Sequence, residues 1–229
     1  MTSERAAGRH IFIGDVHGCL DELRVLMRQL SLHAEDKVVL VGDLVAKGPD
    51  SAGVVAYARE LSALCVRGNH DEAVLRYRRA QLQNQESPRL KKGHVDVAKS
   101  LSEADWGYLE ALPLWLEFPQ FGALVVHAGL MPRVPLLLQE PDLLMNLRSI
   151  RPDGSGSSKM DEGRPWATVW QGPKHVIFGH DAVGGLQQRP FATGLDTGCV
   201  YGRELTALVY PEKKLVSVAA KRTYKEINA

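Results

Sequence analysis

A chain of 229 residues, 45% of them hydrophobic, is long enough to enclose one substantial core, and a single domain over 1–229 is expected, its motif-bearing part at about 10–218. The 28 basic and 27 acidic side chains nearly cancel, which excludes a global attraction for polyanions and makes any affinity for phosphate a local matter. Cys19, Cys65 and Cys199 are odd in number and widely spaced, the opening MTSERAAGR lacks the apolar stretch of a secretory signal, and no later segment is apolar enough to span a bilayer. The expectation is a cytoplasmic protein with free thiols, no membrane association and no obligate protein partner.

His10 to Ile13 is a short apolar run that ends in GDVHG, after which Leu20, Leu23, Leu26 and Leu30 recur at helical spacing. The pattern of strand, loop and helix repeats from Lys37 to Val41 into GDLVAKGPDS, with Val54, Val55, Ala58 and Leu61 on the following helical face and a helix start at Pro49 with Asp50 or Ser51. A third pass runs from Ala63 to Val66 through RGNHD into a helix beginning near Asp71. Three such units predict a partly parallel sheet covered by helices.

Val95 to Leu112 reads as helical, and Leu114 to Phe118 and Ala123 to Val126 as strands joined by a short turn at Gly122. Arg151 to Arg164 has no apolar period and is expected to be an exposed, mobile excursion. The runs Val176 to Phe178, Phe191 to Leu195, Leu205 to Tyr210 and Leu215 to Val218 suggest a second, largely antiparallel sheet. A two-sheet sandwich flanked by helices is the resulting architecture.

The residues able to hold metal follow directly on these strand-like runs: Asp15 and His17, Asp43, Asn69, His127 and His180. Carboxyl ends of neighbouring strands converge on one edge of an α/β sheet, so five segments can meet at one site. Oxygen and imidazole donors suit two hard or borderline divalent cations, and Asp43 is the candidate to bridge them. Taken singly, each of these residues could be a turn, a cap or a polar strand end. Together, GD-x-HG, GD followed by KG, GNHD, VVHAG and FGHD in this order are not explained by independent capping roles.

This motif series resembles that of the phosphoprotein phosphatase branch of the calcineurin-like metallophosphoesterases. Within it, GDLVAKGPDS, RGNHD and GLDTGCVYG resemble the ApaH-like group, to which the symmetrical diadenosine tetraphosphatases belong. The resemblance implies an α/β fold of four layers, two mixed β-sheets flanked by helices. It implies two divalent metal ions, manganese first, with iron, zinc or cobalt as alternatives. Asp15, His17 and Asp43 would bind one metal, and Asp43, Asn69, His127 and His180 the other. Water shared by the two ions would attack phosphorus as hydroxide, and His70 would protonate the leaving oxygen as general acid.

Protein phosphatases of this family carry aspartate and arginine where this chain has Ala46 and Lys47, so His70 needs another orienting group, for which Asp71 or the backbone is the expectation. Lys47 would direct a compact charge at phosphate, and Arg148 is the chosen phosphate-binding arginine, with Arg133 and Arg151 as rivals. Arg67 is expected to brace its loop. The run Arg76, Arg78, Arg79, Arg89, Lys91 and Lys92 could attract a polyphosphate tail, though solvated faces explain it as well. Cys19 and Cys199 are expected to pack rather than react. The expected substrate is a small phosphoanhydride such as diadenosine tetraphosphate, cut symmetrically to two ADP. Polyphosphate or capped RNA is the alternative, a phosphoprotein is disfavoured by Ala46, and a phosphate-binding scaffold is the non-enzymatic reading.

Overall fold

The computed structural model describes residues 8–86 and 88–227; the opening segment up to residue 7, on which part of the leader-peptide expectation rests, lies outside them. The strands are β1 (His10–Ile13), β2 (Lys37–Leu40), β3 (Leu64–Cys65), β4 (Trp115–Phe118), β5 (Ala123–Val126), β6 (Ser149–Ile150), β7 (Gly156–Ser157), β8 (Arg164–Pro165), β9 (His175–Phe178), β10 (Gln187–Arg189), β11 (Ala192–Gly194), β12 (Glu204–Tyr210) and β13 (Lys214–Ala219). The helices are α1 (Leu20–Leu30), α2 (Ser51–Glu60), α3 (Asn69–Leu82), α4 (Lys92–Ser100), α5 (Glu103–Glu110), α6 (Pro141–Asn146) and α7 (Trp166–Val169).

Two five-stranded sheets form the centre, ordered β13-β12-β1-β2-β3 and β10-β11-β9-β5-β4. Side chains alternate between the faces of a strand, and this alternation builds the layers. Ile11 and Ile13 of β1, with Val38 and Leu40 of β2, face a core shared with Leu23 and Leu26 of α1 and Val54 and Val55 of α2. Phe12 and Val39 turn the other way, into the core between the sheets, where they meet Val125 and Ile177. Leu124, Val126, Val176 and Phe178 point outward from the second sheet, onto Leu144 and Trp166 near α6 and α7. Helices, sheet, sheet and helices are thus stacked as four layers, because each inner strand is apolar on both faces.

Four details differ from the sequence reading. β12 and β13 do not join the second sheet: β12 pairs antiparallel with β1, Phe12 opposite Leu208, and carries β13 on its far side. The second sheet is mixed, with β9 parallel to both β5 and β11 and only its outer strands antiparallel. The helical stretch before Leu112 is two helices, because Ser102 caps α5 by accepting from the Asp105 N–H at 3.2 Å while Asp105 accepts from the Ser102 N–H at 2.9 Å. The excursion from Arg151 to Arg164 is folded: β6 pairs with β7 and β8, and Arg151 is held by Glu162 at 2.5 Å.

Arg9 and Asp36 tie the start of β1 to the turn before β2, with the guanidinium 2.5 Å from the carboxylate. The Arg9 hydrogen bond, aided by N–H groups of His33 and Arg9, holds Asp36 down at about 2 against its usual 3.8. A depressed acid stabilises the fold above its unfolded pKa and stops doing so as pH falls through the folded one. Asp36→Asn is therefore expected to lower stability by about 1 kcal/mol at neutral pH, after allowance for solvent screening. The difference between variant and parent denaturation midpoints should fade as pH is taken down from about 4 to about 2.

Candidate metal centre and active-site cavity

The parallel strands of both sheets end on the same side, and their carboxyl ends supply the site. Asp15 and His17 follow β1, Asp43 follows β2, Asn69 and His70 open α3 after β3, His127 follows β5, and His180 follows β9. α3 begins two residues before the expected start at Asp71, which places Asn69 and His70 in its first turn. His17, Asp43 and His180 adopt left-handed backbone, with φ of 46°, 53° and 69°. Such conformations cost about 1 kcal/mol or more in a residue with a Cβ, and here they coincide with candidate metal ligands. Gly42 is required as glycine: its φ is 95°, and a Cβ would lie 2.7 Å from His127 Nδ1 and 2.8 Å from the Gly68 nitrogen.

Asp43 stands at the middle of two donor groups. Its Oδ2 lies 3.4 Å from His17 Nε2, and that nitrogen is 3.9 Å from Asp15 Oδ2. Its Oδ1 faces the other way, 3.5 Å from His127 Nε2. Asn69 Oδ1 lies 3.0 Å from both His127 Nε2 and His180 Nδ1. The far nitrogens of two rings are fixed by the backbone: His17 Nδ1 donates to the Val45 carbonyl at 3.1 Å and His127 Nδ1 to the Val41 carbonyl at 2.8 Å. Those bonds leave each Nε2 as a lone-pair donor aimed at the centre, the usual way a metal-binding imidazole is oriented.

The electrostatics suit cations. Burial, reinforced by the Asp196 carboxylate, pushes Asp15 well above the ordinary carboxylate range. Burial acts the same way on Asp43, yet the imidazoles of His127, His70 and His17 prevail and hold it well below. Burial disfavours the His127 imidazolium, but Asp43 raises it to about 10, stabilising at Nε2 a positive charge that a metal ion would supply in place of the proton. Lys47 brings a cation of its own: its Nζ donates to His17 Nε2 at 2.8 Å and sits 5.3 Å from the centre of the Tyr201 ring. Carboxylate and amide oxygens with neutral imidazoles are the donor set that divalent ions such as manganese, iron or zinc accept, so the residues fit a pair of metals.

The centre lies in the wall of a cavity of about 720 Å³. Lys47, His70 and Arg148 line it, joined by His94 and Lys91 from the start of α4 and by Asp196 and Tyr201 after β11. Arg148 is held there by Asp181 and by the His180 carbonyl, each at 3.1 Å. Arg133 and Arg151 line a different groove, so of the three arginines Arg148 is the one at this cavity. Arg67 does brace its loop, bonding Glu72 and the Glu110 carbonyl. Arg76 and Arg79 are paired with Glu72 and Arg78 with Glu103, so this half of the basic run is engaged within the fold. All three cysteines are buried and free.

Asp71 needs correction as an orienting group for His70. Its Oδ2 accepts the N–H groups of Asp43 and Gly68 at 2.9 and 3.0 Å, and its Oδ1 those of Leu44 and Val45 at 3.0 and 3.3 Å. Four backbone donors take up the carboxylate, which staples the Asp43 loop to the start of α3. His70 instead has its Nδ1 2.8 Å from Nε2 of His94. Asp71→Asn is expected to fail despite its matching shape, because either amide orientation turns an NH2 group against two N–H donors. A loss of about 3 kcal/mol is expected, read as a fall of roughly 6–12 °C in melting temperature for a chain of this size.

Two residues of the cavity were missed in the sequence. Asp196 obeys the same rule as the others, following a strand-like run, and is pushed up to about 6 by burial. His94 sits outside every motif, and only the packing of α4 against α3 brings it to the site.

Residues 8–184 match the family of calcineurin-like phosphoesterases. The chain is 30% identical to the bis(5'-nucleosyl)-tetraphosphatase PrpE (asymmetrical) of Bacillus subtilis strain 168, over 93% of this chain and 96% of the relative. It is 29% identical to the bis(5'-nucleosyl)-tetraphosphatase, symmetrical, of Aeromonas salmonicida strain A449, over 90% of this chain and 96% of that one. A crystal structure provisionally assigned to a diadenosine tetraphosphatase superposes with a TM-score of 0.84 at 38% identity, covering 94% of this chain and 95% of the other.

Proposed function

The chain belongs to the calcineurin-like phosphoesterases, and from that premise we propose that it hydrolyses a phosphoanhydride bond of a dinucleoside polyphosphate, cutting diadenosine tetraphosphate symmetrically into two ADP. The observation that carries the reading is the division of Asp43, with Oδ2 turned to His17 and Oδ1 to His127, at the wall of a cavity that also holds Lys47 and Arg148. Asp15, His17 and Asp43 would hold one metal, and Asp43, Asn69, His127 and His180 the second. Bound there, two divalent cations, manganese first, would supply Lewis acidity that polarises phosphoryl oxygen and makes water nucleophilic at neutral pH.

The protein's own groups do the remaining work. Lys47 and Arg148 meet the non-bridging oxygens, where negative charge grows in the transition state. His70 is tied at its Nδ1 to His94 Nε2 at 2.8 Å and through its backbone N–H to Asp43 Oδ1 at 2.9 Å, which leaves its Nε2 to protonate the departing oxygen. Burial lowers His70 to about 4, so the free enzyme carries it neutral at pH 7 and the proton has to be favoured by the arriving anionic substrate. Ala46 offers no polar group to a phosphoprotein-type arrangement, which supports the nucleotide reading over protein dephosphorylation.

The test is to incubate the purified protein with manganese and diadenosine tetraphosphate, with inorganic polyphosphate in parallel, and separate the products. ADP alone is expected. ATP with AMP would replace the symmetrical cut by the asymmetrical one, a reading that the similarity to PrpE also supports. Silence on the dinucleotide with shortening of polyphosphate would make the enzyme a polyphosphatase.

A further inference from the structure

His94 is a buried residue of α4 whose ring has no place in the proposed metal sets, yet it makes the one side-chain hydrogen bond that His70 has among the described residues. The geometry of that contact is informative. The two rings are parallel to within 6°, with centroids 5.0 Å apart, and the bonded nitrogens are separated by 2.8 Å. Two imidazoles joined by such a bond can have centroids no further apart than the N···N distance plus two ring radii, and 5.0 Å is close to that limit. The centroids and nitrogens therefore lie nearly in line, and the rings are coplanar and edge to edge rather than stacked face to face. Lone pair and N–H both lie in the ring plane, so this is the alignment in which an imidazole hydrogen bond is strongest.

Other contacts fix where His70 sits but not the rotation of its ring. Its backbone N–H bonds Asp43 Oδ1 at 2.9 Å, and its ring stands perpendicular to that of His17, at 89° with centroids 4.9 Å apart. Rotation about the last side-chain bond would exchange the ring nitrogens for carbons at the cavity. The in-plane bond to His94 is the contact that prevents it.

We propose that His94 is a positioning residue for the reaction: its Nε2 accepts from His70 Nδ1–H and so holds His70 with Nε2 directed at the leaving oxygen. The inference rests on the phosphoesterase reading with His70 as proton donor. In the transfer, a water-derived oxygen bonds to phosphorus as the O–P bond to the leaving group breaks, the leaving oxygen takes the proton from His70 Nε2, and His70 is left neutral with its Nδ1 proton still on the bond to His94. No proton need pass to His94.

The test uses the full chain loaded with manganese, two aryl phosphates that differ in leaving group, and two variants. Phenyl phosphate expels a basic phenolate that needs a proton, whereas 2,4-dinitrophenyl phosphate expels an anion that does not. His94→Phe keeps a planar ring without an acceptor, and His94→Gln offers an amide oxygen at a similar reach. For His94→Phe we expect kcat on phenyl phosphate to fall by about 30-fold or more with KM within about threefold, while kcat on the dinitrophenyl ester falls by less than about threefold. His94→Gln should recover most of the loss. Equal losses on both esters, or equal behaviour of Phe and Gln, would overturn the inference while leaving the phosphoesterase reading intact. His94→Leu serves the same comparison if the Phe variant does not fold. A wild-type protein silent on both esters would overturn the proton-donor reading and this inference together.

Discussion

Asp43→Asn is expected to abolish turnover, with kcat falling by about 10³-fold or more, because the substitution removes the group that both donor sets share. Asparagine has the same shape and offers only one oxygen. Both sides lose the negative charge, and whichever way the amide turns, either the His17 side or the His127 side also loses its oxygen and meets N–H groups instead. The Oδ1 position is the more constrained, since it already accepts the His70 N–H at 2.9 Å. The favoured orientation therefore keeps oxygen toward His70 and His127 and turns the NH2 group toward His17 Nε2, now 3.4 Å from Oδ2. Metal analysis of the purified variant should show fewer ions per chain than the parent, with the set built on Asp15 and His17 losing its ion first. A variant that retained both metal content and activity would rule out Asp43 as the shared ligand.

His70→Ala is expected to separate binding from turnover: metal content stays at the parent level while kcat falls by about 10²- to 10⁴-fold, the usual worth of a positioned general acid. The expectation is a sharp one, since His17, Asp43 and His70 also come within 4.8 Å of one another in a geometry that could hold an ion. His70 differs from the other imidazoles in what its second nitrogen meets. His17 and His127 donate Nδ1–H to the carbonyls of Val45 and Val41, in the loop after β2, whereas His70 is tied to the ring of His94 on a separate helix. Loss of a metal in His70→Ala would transfer the residue to the ligand set. A normal rate would remove it from the reaction.

Much of the site was written in the one-dimensional pattern. Strands such as HIFI and KVVL are apolar without interruption because both their faces are buried, and a polar residue at the end of such a run has to sit at the sheet's edge. Asp15, Asp43, His127 and His180 could be found this way, and Asp196 could have been found by the same rule. Helix starts at Asp50 and the turn at Gly122 were also legible, since capping and left-handed backbone are local chemistry.

Non-local choices were not legible. Leu205 to Val218 has the same alternating composition whichever sheet it joins, and it was the free edge of β1 that captured β12. The excursion after Arg151 has too little apolar period to announce a sheet, and its order comes from Arg151 meeting Glu162 across the loop. Asp71 looks like a catalytic neighbour of His70 in sequence, but helical geometry turns its carboxylate under the first turn of α3, onto the N–H groups of the Asp43 loop. The sequence by itself determined which residue types stand at the strand ends, and so the chemistry available. Only the tertiary structure decided that Arg148 rather than Arg133 or Arg151 reaches the cavity, and that His94 meets His70. Those outcomes depend on how helices and loops distant in the chain pack against one another, which residue spacing does not encode.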